Sequence, residues 1–182
     1  MSKDIPIPRR LEKRPRYKGL PIPWIALIRE DGQPDFRVTD AEKRHQVMLN
    51  RWCQLCGEPL GKWQFFTGGT EAAKHNQFFE PACHLDCLVY AMQVCPFIVG
   101  KMEHADLEKV QKANPDVTVA IDETYTTVRN PNWVIVKANG WRYLRTQGGT
   151  ILIQPWVVKQ SETLHPETMD AAEWQRVQAS LM

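Results

Sequence analysis

Two short strings, Cys53-Gln54-Leu55-Cys56-Gly57 and Cys83-His84-Leu85-Asp86-Cys87, hold the residues of this chain best suited to chemistry. Soft donors paired at this spacing are metal ligands, and two such pairs complete one four-coordinate zinc site. A Cys-x-x-Cys turn brings two thiolates together, and Gly57 lets the backbone curl so that N–H groups face the sulfurs. In the second string Pro81 suits the start of a helix. His84 and Cys87 then stand at i and i+3 on one helical face. Cys83 and Cys87, at i and i+4, share a face too, so Cys83 competes with His84 for the fourth position. A Cys-x-x-Cys pair joined to a His-x-x-Cys pair is an ordinary structural set of three thiolates and one imidazole, which favours Cys53, Cys56, His84 and Cys87. Four protein ligands leave no open position. The expectation is one structural Zn2+ per chain, not a catalytic ion. Cys95 lies about 12 Å further along a continuous helix, too far to join the same tetrahedron, and is expected as a buried thiol.

Other uses of these cysteines are weaker. There are five, an odd number, in a chain of 182 residues that does not need disulfide stapling to fold. No apolar signal segment opens the sequence, which points to a reducing, cytoplasmic compartment. No run of about 18 apolar residues is present, so no membrane-spanning helix is expected.

Charge is unevenly spread. Residues 1–18 carry seven basic side chains against two acidic ones, a net +5, while the whole chain is +2 and the remainder therefore −3. Pro6, Pro8 and Pro15 are expected to keep this segment extended. Residues 1–20 thus read as a basic, proline-rich arm, with Arg9, Arg10, Arg14 and Arg16 as candidate partner-binding residues. On this reading, deleting residues 1–18 leaves stability unchanged and weakens binding.

The elements that must position the ligands follow from periodicity and turn chemistry. Trp24–Ile28 reads as a strand, with Phe36–Val38 returning beside it after the Asp31-Gly32 turn. Asp40 caps a helix that runs towards Trp52. Lys62–Thr67 reads as a strand, Gly68-Gly69 opens a loop to Pro81, and a ligand-bearing helix spans Ala82 to Cys95, stopped by Pro96. A short helix around Leu107 and Val110 ends at Asn114-Pro115. Val117–Ile121 and Thr124–Val128 are candidate strands. Asn132–Ala138, Trp141–Thr146 and Thr150–Val158 read as a three-stranded meander, turned at Asn139-Gly140 and Gly148-Gly149. Asp170 and Glu173 have capping-box spacing, and Trp174, Val177 and Leu181 share one face of a final helix expected to dock on the sheet. The fold class is α+β: a treble-clef-like zinc module packed with an antiparallel β-sheet and two or three helices. Residues 21–182 form a single domain, with the zinc centre at 53–95 and the meander plus helix at 116–182.

The string Cys53-x-x-Cys56-Gly57-Glu58-Pro59-Leu60-Gly61, then Glu80-Pro81-x-x-His84-x-x-Cys87, Tyr90-Ala91 and Cys95-Pro96-Phe97, resembles a family of small zinc-binding proteins encoded largely by bacteriophages, prophages and plasmids. The resemblance covers residues 20–182 by pattern and is most specific in the middle third. It implies a phage or mobile-element origin and no particular activity. The residue before the His varies in that family, which supports His84 over Cys83.

Three functions remain in view. A metal-dependent nuclease of the HNH kind needs a catalytic His on the hairpin, but the strand Lys62–Thr67 has none and His75-Asn76 falls in the loop. Nucleic-acid binding would use the basic arm, Lys62, Lys74 and a platform of Arg142, Tyr143 and Arg145. Against that, Trp133, Trp141, Tyr143 and Trp156 also fit as cross-strand core pairs. The favoured reading is a non-catalytic, zinc-stabilised protein that binds or inhibits a host protein in the bacterial cytoplasm, including an anti-defence target.

Overall fold

A computed structural model describes residues 5–101, 107–115 and 131–182. Lys3 and Asp4 of the arm and the candidate strands Val117–Ile121 and Thr124–Val128 lie outside the described residues.

The chain is a mixed α+β fold with antiparallel sheets. Its centre is the strand β6 (Trp133–Ala138), which pairs on one side with β5 (Gln64–Gly69) and on the other with β9 (Val158–Leu164). The run Val134-Ile135-Val136 is β-branched throughout and buried on both faces, as a strand between two packed layers requires. Side-chain alternation divides the core. Phe65, Ile135 and Leu164 point to one face, where Cys53, Cys56 and Cys87 lie and where α4 (Leu85–Val94) and α6 (Ala171–Leu181) pack. Phe66, Val134, Val136 and Ala138 point to the other, against Met48, Phe78, Trp141 and Ile153.

The hairpin of β7 (Trp141–Arg145) and β8 (Ile151–Pro155) belongs to this second layer and is a separate two-stranded sheet. The expected meander is therefore corrected. Asn139-Gly140 turns the chain, but β7 does not pair with β6. Instead the chain leaves the sheet and β9 returns to fill that edge. The single strand expected at Thr150–Val158 is broken after Pro155, and Val157 adopts a left-handed φ of 48° at the bend.

Near the N-terminus β3 (Ala26–Ile28) pairs with β4 (Pro34–Thr39). The α2 helix (Ala41–Asn50) follows, capped by the Asp40 side chain on the Lys43 N–H. The segment after Gly69 is helical, α3 (Thr70–His75), where a loop was expected. The α5 helix (Leu107–Ala113) ends before Asn114-Pro115 as the sequence indicates. The α6 helix has both arms of its capping box, and it packs chiefly on α4, with Trp174 and Leu181 buried.

The arm is neither fully extended nor detached. Pro8 precedes one helical turn, α1 (Arg9–Glu12), because proline tolerates the position before a helix where no N–H bond is needed. Leu11 on that turn is 3% exposed, and Ile5 and Ile7 pack on the same core cluster. A tight hairpin of β1 (Arg16–Tyr17) and β2 (Leu20–Pro21) follows. The described residues thus contain six helices, of which only α2, α4 and α6 exceed seven residues. None is long and apolar enough to cross a membrane.

Candidate metal centre

The sulfurs of Cys53, Cys56 and Cys87 and a ring nitrogen of His84 all lie within 4.8 Å of one another. Zinc bonds of about 2.3 Å to sulfur and 2.0–2.1 Å to nitrogen place tetrahedral donors about 3.5–4 Å apart, so the set needs little contraction to hold an ion. All five cysteines are free thiols.

The knuckle is built by backbone bonds. The Cys53 N–H donates to Glu58 O at 2.8 Å and the Gly57 N–H to Cys53 O at 2.8 Å, while the Glu58 N–H points at Cys56 Sγ at 3.4 Å. Gly57 takes φ 80°, and a Cβ there would lie 2.6 Å from the Trp24 ring. Its glycine is thus required twice, by conformation and by close approach. Trp24 holds that place because its backbone N–H donates to Leu55 O and its ring meets Trp52 edge-on.

The second half of the set is fixed by β5. Cys83 and Phe65 exchange backbone bonds of 2.8 and 3.1 Å, which sets the chain just before His84. His84 is the N-cap of α4, and Cys87 lies in the first turn. The helix therefore begins three residues later than expected and Pro81 is not its first residue. The two ligands still converge, because the cap and the first turn face the same side. The partial positive charge of the helix N-terminus adds to the attraction for thiolates. His84 Nε2 lies 3.0 Å from Pro59 O, which can only accept, so Nε2 carries a hydrogen. Nδ1 is left facing Cys56 Sγ at 3.4 Å and is the donor atom available to a metal.

Burial opposes ionisation of Cys53, but hydrogen bonds from Cys56, Cys83, Cys87 and His84 outweigh it and hold this thiol well below its usual range. His84 is also desolvated, yet bonding and attraction from Cys53 and Cys56 push it up to about 10. Cys87 is raised by its bonds to Cys53 and Cys56. A metal takes these donors as thiolates and neutral imidazole, so its binding is coupled to release of their protons.

Gln54 is a positioning residue that sequence reasoning missed. Its side-chain amide donates to Pro81 O at 2.5 Å and to Cys83 Sγ at 3.4 Å, and its backbone N–H donates to Ala82 O at 3.2 Å. It clips the knuckle to the segment bearing His84. Cys83 is buried beside the cluster and does not belong to the four converging donors, while Cys95 is only half-buried at the end of α4.

The four arginines of the arm divide. Arg10 bonds Glu58 at 2.7 Å and lies 3.7 Å from Asp86. The Arg14 Nε–H donates to Ile22 O at 2.9 Å, and its guanidinium sits 5.2 Å from the centre of the Trp24 ring. Arg9 and Arg16 are exposed. Elsewhere, His75 is exposed at the end of α3, 3.6 Å from Glu71, and the Asn76 amide donates to Pro155 O. Tyr143 and Arg145 share one face of β7, while Arg142 is on the other, over the Trp156 ring. Of the four aromatics weighed as core pairs, Trp141 is buried, Trp133 half-buried, and Tyr143 and Trp156 exposed. Set against protein-family models, curated proteins and solved structures, the chain matches none of them.

Proposed function

We propose that this chain is a non-catalytic binding protein whose fold is held by one structural zinc in a treble-clef-like module, and that its partner is another protein. The observation that carries this reading is the convergence of three thiols and one imidazole in a largely buried cluster. Zinc is the metal that this donor set suits, and four protein donors leave it no position for substrate. The knuckle, β5 and the ligand-bearing start of α4 follow one another as in a treble clef. The use of Arg10 and Arg14 on the chain's own groups favours a protein partner over nucleic acid, because it removes two cations from the arm's phosphate-binding capacity. The resemblance to phage and plasmid proteins makes a host protein the expected partner.

Metal analysis of protein purified without chelator should return one zinc per chain. A pull-down from bacterial lysate should retain a stoichiometric protein partner after nuclease treatment. Loss of the whole eluate on nuclease treatment would instead establish nucleic-acid binding.

A further inference from the structure

We propose that the outer edge of β7, with the groove between it and α2, binds an extended acidic segment of a partner protein, adding it to the hairpin as a third strand. This rests on the protein-binding reading and names where that binding occurs.

The register of the hairpin decides which backbone groups are available. Ile153 exchanges backbone bonds of 2.7 and 2.8 Å with Phe78, on the side of β8 away from β7. Ile151 O accepts from Arg44 Nη2 at 2.8 Å on that same side. Ile151 and Ile153 therefore direct their peptide groups away from β7. In an antiparallel pair the residues opposite them must also face outward. Those residues are Arg145 and Tyr143. Their N–H and C=O groups line the open edge, and no backbone group among the described residues meets them.

This edge selects its occupant by charge. The only ionisable groups on β7 besides the Tyr143 phenol are Arg142 and Arg145, and Arg145 has no carboxylate within ion-pair distance among the described residues. Two arginines with no acid between them disfavour a second copy of the strand and favour an acidic one. Beside the edge lies a groove of about 240 Å³ walled by Met48, Leu49, Tyr143 and Ile151, with His45 and Arg145 also lining it. No acidic residue among the described ones lines it. Leu49 and Tyr143 are 64% and 48% exposed, so apolar surface is left in water there. The Tyr143 hydroxyl donates to Met48 O at 2.8 Å, which fixes the ring as a wall. The volume is below the 300–1,000 Å³ usual for a whole small ligand and suits one bulky apolar side chain. Main-chain pairing with alternate side chains in a pocket is the mode by which sheet edges take up peptides. A stacked nucleic-acid strand fits less well, because Arg142 and Tyr143 are on opposite faces.

The probes are a capped peptide of alternating Glu and Val with a central Phe, its Lys-for-Glu counterpart, and oligo-dT, each added to the zinc-loaded full chain. The acidic peptide should slow hydrogen exchange at the Tyr143 and Arg145 amides. Arg145→Glu should weaken its binding by about tenfold or more, while Arg9→Glu leaves it unchanged; both variants should keep their zinc. Leu49→Asp should weaken it as well. Equal binding of the Lys peptide, protection elsewhere than β7, or displacement by oligo-dT would overturn the proposal. Protection confined to the arm would overturn this site and leave the protein-binding reading standing. A lysate pull-down that yields only nucleic acid would remove that reading itself.

Discussion

Arg10 donates to Glu58 across 2.7 Å, and the same guanidinium lies 3.7 Å from Asp86. Glu58 closes the knuckle and Asp86 stands between the two ligands of α4, so one side chain from the N-terminal segment spans both halves of the metal set. The segment that looked like a free binding arm thereby joins the body it was expected to leave.

Removal of residues 1–18 should lower the thermal midpoint, contrary to the expectation from sequence. The effect resides in Leu11 more than in the charges. Leu11→Ala should destabilise by about 2–5 kcal/mol as a core truncation. Arg10→Ala should cost about 0–1 kcal/mol, since its ion pairs are solvent-exposed. Urea unfolding of the two variants checks the ranking, and equal midpoints for wild type and Leu11→Ala would contradict the packing of this segment.

Cys53→Ser and Cys87→Ser should each lose zinc and lower stability sharply, because the free energy of binding a structural zinc is part of the free energy of folding. His84→Ala should lose the metal and Cys83→Ala keep it. Cys95→Ser should be mild. A chelator should unfold the wild-type chain. Zinc measured per chain in each purified variant decides the matter, and retention in His84→Ala with loss in Cys83→Ala would reassign the fourth ligand.

Gly57→Ala tests the knuckle without touching a ligand. The substitution forces a left-handed residue, which alone costs about 1–2 kcal/mol, and drives a methyl into Trp24. Wild-type metal content with a lowered midpoint is expected. An unchanged midpoint would mean that Trp24 does not occupy the place described.

Asp35 should make stability depend on acid. It is 4% exposed, and its carboxylate is held at about 2, against 3.8 normally, chiefly by its hydrogen bonds from Arg37, with burial opposing and Asn114 assisting. A depressed carboxylate contributes stability above its unfolded pKa and loses it as pH falls through the folded one. The contribution of about 2 kcal/mol should therefore be complete above pH 4 and fade towards pH 2. Acid also protonates the thiols and imidazole of the candidate metal site, so the readout is the difference between wild type and Asp35→Asn. That difference should shrink across this window, and a constant difference would exclude the linkage.

Much of the centre was legible because it is local. Ligand spacing, Gly57 and the caps at Asp40 and Asp170 are each decided within a few residues of chain. The larger failures were non-local. Asn139-Gly140 is a strong hairpin signal, but β9 competes for the β6 edge and wins by placing Leu164 in the core. The turn at α1 was hidden because prolines argue against helices in general but not against a single turn begun after Pro8. Gln54 gave no signal, since its role exists only once Pro81 and Cys83 are brought beside it. Polar type and spacing cannot report such a meeting. The loop expected after Gly69 became α3 because Thr70–His75 needs only one short helical stretch with Asn76 in a left-handed cap.

All four donors of the candidate site lie between residues 53 and 87, whereas Gln64 finds its sheet partner only at Ala138. During synthesis the whole donor set is made before β6. With zinc bound as proposed, the knuckle of a nascent chain can hold β5 and the start of α4 together while the distant strands are still being made. Pairing across so long a separation is intrinsically slow and leaves the apolar face of β5 uncovered meanwhile. Zinc scarcity should thus reveal itself as aggregation of newly made protein sooner than as unfolding of protein already assembled.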